Sequence, residues 1–297
     1  MALDPRQTEA LLAVIETGSF EQAGARLHVT PSAISQRVRA LEEDMGAALV
    51  VRSRPVRATR VGQRLLQHLR RVMLLEEDLA SDLTEQRHAP LSVTIAVNAD
   101  TLGTWFFPAL AELLASEQVL LDLVVEDQDH TYEVLETGMA TGCISTQPKP
   151  MKGCFADPLG IMRYRLIASA SFAARWFPQG LNRAAARHAP VVAYTRKDAL
   201  QASFLQERLG LTAKAYPCNY VPGCDPHYAA IKYGLGYGMV PEMLIRDALA
   251  AGELVDLAPD HPTDIALFWH AWKVQSPRME NMSRRIGEAA RQLLTVS

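Results

Sequence analysis

The chain has 297 residues, 48% hydrophobic and 21% charged, with a formal net charge of −3. That is the profile of a globular protein of about two domains, and it excludes a disordered, fibrous or uniformly basic chain. No apolar run approaches the ~18 residues of a membrane-spanning helix, and no basic leader precedes a long apolar core, so a cytoplasmic protein with no membrane partner is expected.

Cys143, Cys154, Cys218 and Cys224 form no C-x-x-C pair, which fits a reducing compartment. Charge is unevenly spread. Arg26 to Leu75 holds ten arginines, no lysine, and only Glu42, Glu43 and Asp44 as acids, whereas from Leu91 onward 18 basic residues face 21 acidic ones. Arginine pairs bidentately with phosphates and guanine edges, which lysine does not.

Ser19 followed by Gln22 has capping-box spacing, and predicts a helix from Phe20 to about Leu27. After the tight connection "HVT", Thr30 is an N-cap and Pro31 stands at the first helical position, where a missing N–H costs nothing. Ile34, Val38 and Leu41 then form one apolar stripe. On the opposite face fall Ser32, Gln36 and Arg39, with Ser35 at its edge, and Ala23, Gly24 and Ala33 let the two helices pack closely. This is a helix-turn-helix pattern with a hydrogen-bonding outer face. Thr30, Ser32, Ala33, Ser35, Gln36 and Arg39 are its candidate DNA contacts.

"AALVVRSRPVRATRVGQRL" then predicts a β-wing turning at Ser53 to Pro55, whose Arg52, Arg54 and Arg57 reach phosphates or a narrow minor groove. Thr59 caps a long helix, about Val61 to Arg87, with Leu65, Leu69, Val72, Leu79 and Leu83 in a near-heptad row and Leu75 beside it. A second copy would bury that row and set two reading helices side by side; packing on the rest of the same chain is the alternative.

Residues 91–297 alternate strand and helix patterns: "SVTIAV", a helix with Trp105, Phe106 and Leu110, "LLDLVV", a helix from Thr131 to Gly138, "GCIS", "YRLIAS", "PVVAY", "YPCNYV" and "LVDL". The rhythm predicts an α/β domain with largely parallel sheets, and ligands in such domains sit beyond the carboxyl ends of strands. Asn98, Asp100, Thr101 and Trp105 follow the first strand, Glu126, Asp127 and Asp129 the second, and Asp225 begins a helix. With the arginines clustered away from these strand ends, converging carboxylates favour a guanidinium or ammonium ligand. Capping of the next helix would by itself account for Asp100 and Asp225.

"GLGYG" at Gly234 to Gly238 follows a helix pattern and lacks dinucleotide-binding spacing, so it reads as a helix stop. His227, His261 and His270 have no metal spacing, and His270, within the strand-like "FWHAW", reads as a core or interface residue. No nucleophile–base pair, metal cluster or phosphate loop appears, so neither catalysis nor a cofactor is expected.

"FEQAGARLHVTPSAISQRVRALEEDMGAALVVR" followed by "ATRVGQRLL" resembles the LysR-type family of bacterial transcriptional regulators. The resemblance implies a winged helix-turn-helix over 1–60, a dimerising linker helix over 61–88 and a two-lobed, periplasmic-binding-protein-like effector domain over 89–297. Lobe I would span about 91–162 and 268–297, lobe II about 163–267. It also implies homodimers or homotetramers on double-stranded DNA at an interrupted inverted repeat, with RNA polymerase as a partner. "LSVTIAVNADTLGTWFFPAL", "LDLVVEDQDHTYEVLETG" and "LFWHAW" are similar to its ArgP/LysG subgroup, which implies lysine or arginine as effector and control of basic amino-acid export genes; "TRKDALQASF" and "VPGCDPHYAAIKYGLGYG" depart from that subgroup. Other readings stay open: a different effector, thiol sensing at Cys218 and Cys224, or a solute-binding protein with an N-terminal helical cap.

Overall fold

A computed structural model of the chain describes residues 3–83, 90–116, 118–127 and 130–294. By internal contacts it divides into two compact units, Met1–Ala89 with Glu133–Thr141, and Pro90–Tyr132 with Gly142–Ser297. No helix among the described residues is long and apolar enough to cross a membrane.

The first unit opens with α1 (Pro5–Thr17), whose first turn is capped by the Asp4 carboxylate accepting from Arg6 N. Ser19 Oγ accepts from Glu21 N and Gln22 N to start α2 (Phe20–Arg26), and Thr30 Oγ1 accepts from Ala33 N to start α3 (Pro31–Met45). The apolar stripe is buried as expected: Ile34, Val38 and Leu41 pack with Leu11, Val14 and Ala23 in one core, each fully shielded from solvent. Removing three such side chains from water contributes roughly 1.5–3 kcal/mol apiece. The wing is a two-stranded antiparallel ribbon, β1 (Val50–Val51) against β2 (Arg57–Ala58).

The long helix α4 (Arg60–Leu83) starts where Thr59 Oγ1 accepts from Gly62 N. Its row divides. Leu65, Leu66 and Leu69 join the first unit's own core, whereas Met73, Leu75 and Leu79 are exposed at 46%, 36% and 58%. The near half therefore packs on its own chain, and only the far half lacks cover. Val72 is half-buried, and the Leu83 side chain and the expected continuation to Arg87 lie outside the described residues.

The second unit runs β3 (Leu91–Val97), α5 (Ala99–Thr101), a π-helical turn (Leu102–Phe106), α6 (Phe107–Ser116), β4 (Val119–Val125), α7 (Thr131–Glu136), β5 (Gly142–Ser145) and β6 (Cys154–Ser169). Then come α8 (Ala170–Trp176), α9 (Arg183–Ala186), β7 (Val191–Ala193), α10 (Leu200–Leu209), β8 (Cys218–Tyr220), α11 (Cys224–Lys232) and β9 (Gly238–Pro241). It closes with α12 (Glu242–Ala250), β10 (Leu254–Asp256), β11 (Thr263–Trp272) and α13 (Pro277–Leu293). α7 runs across the boundary between the two units at Tyr132/Glu133.

Seven strands form one sheet in the order β10-β6-β11-β5-β3-β4 with β9 on β6, and β7 and β8 form another. The seven-stranded sheet is mixed, not largely parallel, and the two-stranded one is parallel. β3 runs parallel to β4 and β5, and β7 to β8, but β6 is antiparallel to β9, β10 and β11, and β11 to β5.

Two long strands hold this unit together. β6 and β11 pair along their length, with a register shift between Leu267 and Phe268. On one side of the shift Phe268–Ala271 also pair with β5; on the other, Tyr164–Ile167 of β6 pair with β9. One lobe is thus built on β3, β4 and β5, and the other on β7 to β10. Phe172, Phe177 and Tyr237 pack ring against ring in the second lobe, and Trp105, Phe106 and Trp269 are core residues of the first.

Gly62 shows how closely α4 meets the wing: a Cβ there would lie 2.0 Å from the Leu49 carbonyl oxygen. Gly62→Ala is expected to destabilise the N-terminal unit by about 2–3 kcal/mol through backbone displacement, read as a lower urea midpoint of that unit's transition.

Candidate functional sites: a helix face and a cleft

In the first unit the buried stripe sets the rotation of α3, and this leaves Ser32, Gln36 and Arg39 exposed while Ala33 and Ser35 are half-buried. Thr30, also exposed, spends its hydroxyl oxygen on the helix cap, which leaves its proton to donate outward. Arg52, Arg54 and Arg57 are all exposed on the wing. Arg52 lies over the Phe20 ring, 5.2 Å from its centroid, so the wing is braced on α2. That contact has no periodic signature in the sequence. The face combines short hydroxyls, an amide and guanidinium groups, the set that hydrogen-bonds to base edges and phosphates.

The second unit contains a cleft of about 460 Å³. The carboxyl ends of two parallel strand pairs point into it, and each contributes the residues just beyond its last strand position. Asn98 to Asp100 follow β3, and Val125 to Asp127 lie at the end of β4; Tyr194 to Asp198 follow β7, and Pro222 and Gly223 come two residues after β8. Leu200 and Gln201 of α10 and Met239 of β9 complete the lining.

Asn98, Asp100, Glu126 and Asp127 therefore meet in one place. The other candidates do not. Thr101, the last residue of α5, is fully buried, and Trp105 in the π-helical turn is 1% exposed among core residues; neither lines the cleft. Asp225 is exposed and outside the lining, because the backbone ahead of α11 turns Pro222 and Gly223 to the cleft instead. Asp129 lies outside the described residues.

Basic groups are not all remote from the strand ends: Arg196 and Lys197 line the cleft, and the Arg196 guanidinium lies 4.4 Å from the centroid of the Tyr220 ring. The cleft thus holds four carboxylates (Asp100, Glu126, Asp127, Asp198) and two cations. Asp198 is partly committed locally, accepting from Tyr194 N at 3.1 Å and Leu200 N at 3.0 Å.

Asp100 is the most buried acid of the four, only 4% exposed. Its carboxylate accepts from Tyr164 Oη at 2.8 Å and from Tyr194 Oη, and the Cys224 thiol acts on its charge from close by. Burial pushes its carboxyl up to about 6 against the pull of these donors, with nearby Asp198 adding to the rise. Beside it the Tyr194 ring lies 4.5 Å from that of His227, which is buried, bonded to the Val192 carbonyl at 3.2 Å, and held down to about 4 by desolvation. The buried Gln201 amide donates to the same carbonyl at 3.1 Å. Tyr194 and Gln201 come from "YTRKDALQ", a stretch with the look of a surface turn.

His270 is a core residue, its Nε2 2.8 Å from the Gln147 carbonyl and its ring edge-on to Tyr132. "GLGYG" ends α11, with Gly234 at φ 78°. Among the described residues no group of three or more His, Cys, Asp or Glu side chains is arranged to hold a metal ion.

The family model "Bacterial regulatory helix-turn-helix protein, lysR family" matches residues 5–63, and "LysR substrate binding domain" matches residues 85–291. The HTH-type transcriptional regulator ArgP of Aeromonas salmonicida is 42% identical over 294 residues, 99% of this chain and 98% of that protein. The solved ArgP of Mycobacterium tuberculosis superposes with a TM-score of 0.87 at 40% identity over the whole of both chains. LysG of Corynebacterium glutamicum, solved full-length with arginine bound as effector, does so with a TM-score of 0.81 at 34% identity, over 98% of this chain and 99% of that one. With an exposed reading helix and wing in one unit and a strand-end cleft in the other, the chain belongs to the LysR family of DNA-binding transcriptional regulators.

Proposed function

We propose that the chain senses a basic amino acid, arginine or lysine, in the cleft and through it controls genes of basic amino-acid export or metabolism. The observation that carries this reading is the charge of the cleft, four carboxylates with two cations at the ends of parallel strands. The carboxylates suit a guanidinium or ammonium group in a partly dry site, and Arg196 and Lys197 suit the ligand's α-carboxylate. The relative solved with arginine as effector supports the same class. Asn98, Glu126 and Asp127 are assigned to ligand contact with Asp100; Thr101 and Trp105 support the turn from below.

Residues 1–60 serve as the reading head, 61–88 as the linker and 89–297 as the sensor, with lobe I about 91–162 and 268–297 and lobe II about 163–267. The register shift at Leu267/Phe268 supports that division. The exposed row Met73, Leu75 and Leu79 supports a second copy along α4, and so a dimer or tetramer on an interrupted inverted repeat, contacting RNA polymerase as an activator. Effector binding favours one angle between lobes and alters the spacing of reading helices; it does so only by the difference in its affinity for the two arrangements.

The thiol-sensing reading is disfavoured. Burial raises both thiols, Cys224 up to about 12, and the π turn carries Gly103 against the Cys224 sulfur.

Three measurements test the reading. In a thermal-shift panel of the twenty amino acids, arginine or lysine should raise Tm; stabilisation only by acidic or aromatic compounds contradicts it. Arg39→Ala should weaken binding of a promoter fragment about tenfold or more with Tm unchanged, while Arg52→Ala, Arg54→Ala and Arg57→Ala should each flatten the salt dependence by about one counterion. Iodoacetamide at pH 8 should modify Cys224 of the folded protein about a thousandfold more slowly than free cysteine, since so little thiolate is present; fast modification would restore thiol sensing.

A further inference from the structure

Asp100 has features that a structural cap does not need. It sits in the cleft wall, almost wholly out of water, and holds two phenol donors from different parts of the second unit, Tyr164 on β6 and Tyr194 beyond β7, with the Cys224 thiol at the start of α11 acting on its charge. The packing beside it is close: a Cβ on Gly103, three residues on, would lie 2.5 Å from the Cys224 sulfur. The groups that act on its charge are two phenols, a thiol and the like-charged Asp198, and none of these is a cation. Asp225 acts in turn on Cys224, and His227 stacks on Tyr194 but stays neutral above about pH 4. Of the other charged groups lining the cleft, Glu126 and Asp127 are acidic and Arg196 and Lys197 basic, and neither cation is among the groups that act on Asp100. A desolvated carboxylate with donors and no counter-charge retains a proton that a water-exposed one would lose.

We propose that Asp100 is the residue by which the cleft selects a cationic ligand, and that the ligand's positive end replaces a proton on this carboxyl. Before binding, part of the population carries Asp100 as the acid. In the complex the guanidinium or ammonium supplies the missing positive charge, the carboxylate keeps its bonds from Tyr164 and Tyr194, and the proton goes to solvent. A ligand of the same shape without the charge has nothing to exchange for the proton. The inference rests on the reading of the cleft as a basic amino-acid site and adds the residue that enforces it.

The direction with pH follows from the acid lying near 6 in the empty protein. Binding should be at full strength above about pH 7 and fall about tenfold by pH 5, as the acid form takes over the empty state. Isothermal titration of the full chain with arginine and with lysine, at pH 6 in buffers of different ionisation enthalpy, counts the protons. About half a proton should leave per ligand at pH 6, and almost none at pH 8. Citrulline, which has arginine's shape without its charge, should bind at least tenfold more weakly and release none. Asp100→Asn, which imitates the protonated acid, should bind arginine weakly with no change between pH 5 and 7.

Tight arginine binding with no proton released at pH 6 overturns the proposal, as does an Asp100→Asn protein that keeps the wild-type pH profile. Should that variant fail to fold, the wild-type proton count and the citrulline comparison decide. If neither arginine nor lysine binds at any pH, the reading of the cleft falls, and the inference falls with it.

Discussion

The structure depends first on three side chains, Ile34, Val38 and Leu41, fully shielded on the inner face of α3. Their burial fixes the rotation of a helix whose other side has no apolar residue to hide. Once they are placed, Ser32, Gln36 and Arg39 have to face outward, and the caps at Ser19 and Thr30 set where the two helices begin. The wing is held to the same body by Gly62 against Leu49 and by Arg52 over Phe20. A reading surface is the by-product of a core: the energy lies in the apolar stripe, and the polar residues opposite are free to spend their hydrogen bonds on another molecule.

The second unit solves a different problem. β6 and β11 run through both lobes, so the lobes are joined by strand pairing, whose register shifts at Leu267/Phe268. Each lobe contributes one parallel pair that ends at the cleft, and the backbone just past a strand is where side chains can point into space without breaking a ladder. The cost is carried by Asp100, a carboxyl buried without a cation and raised to about 6. Such a group weakens the empty fold relative to an apolar residue, which is understandable where a ligand completes it.

Much of this was legible in the chain. The stripe of α3, its caps and the wing arginines follow from periodicity and residue type, and Asn98, Asp100, Glu126 and Asp127 were findable because they come directly after β-branched or leucine-rich runs. Strand direction was not, since alternation of helix and strand says nothing about whether β11 pairs antiparallel with a strand about a hundred residues earlier. Tyr194 to Asp198 and Gln201 were missed because they reach the cleft lining from the second lobe, a long-range fact with no local pattern. Trp105 and Thr101 also follow the end of β3, yet both are buried away from the cleft lining, a difference that position after a strand does not reveal. On α4 one heptad-like row serves two purposes, its near half an intrachain core and its far half exposed, and spacing alone does not divide them.

The most direct test of the account is a structure of the full chain bound to its operator duplex. It should place α3 in the major groove with Ser32, Gln36 and Arg39 within hydrogen-bond distance of bases or phosphates, and the wing arginines on the backbone. A complex in which DNA lies against another surface, with the α3 outer face turned to solvent or covered by protein, would contradict it.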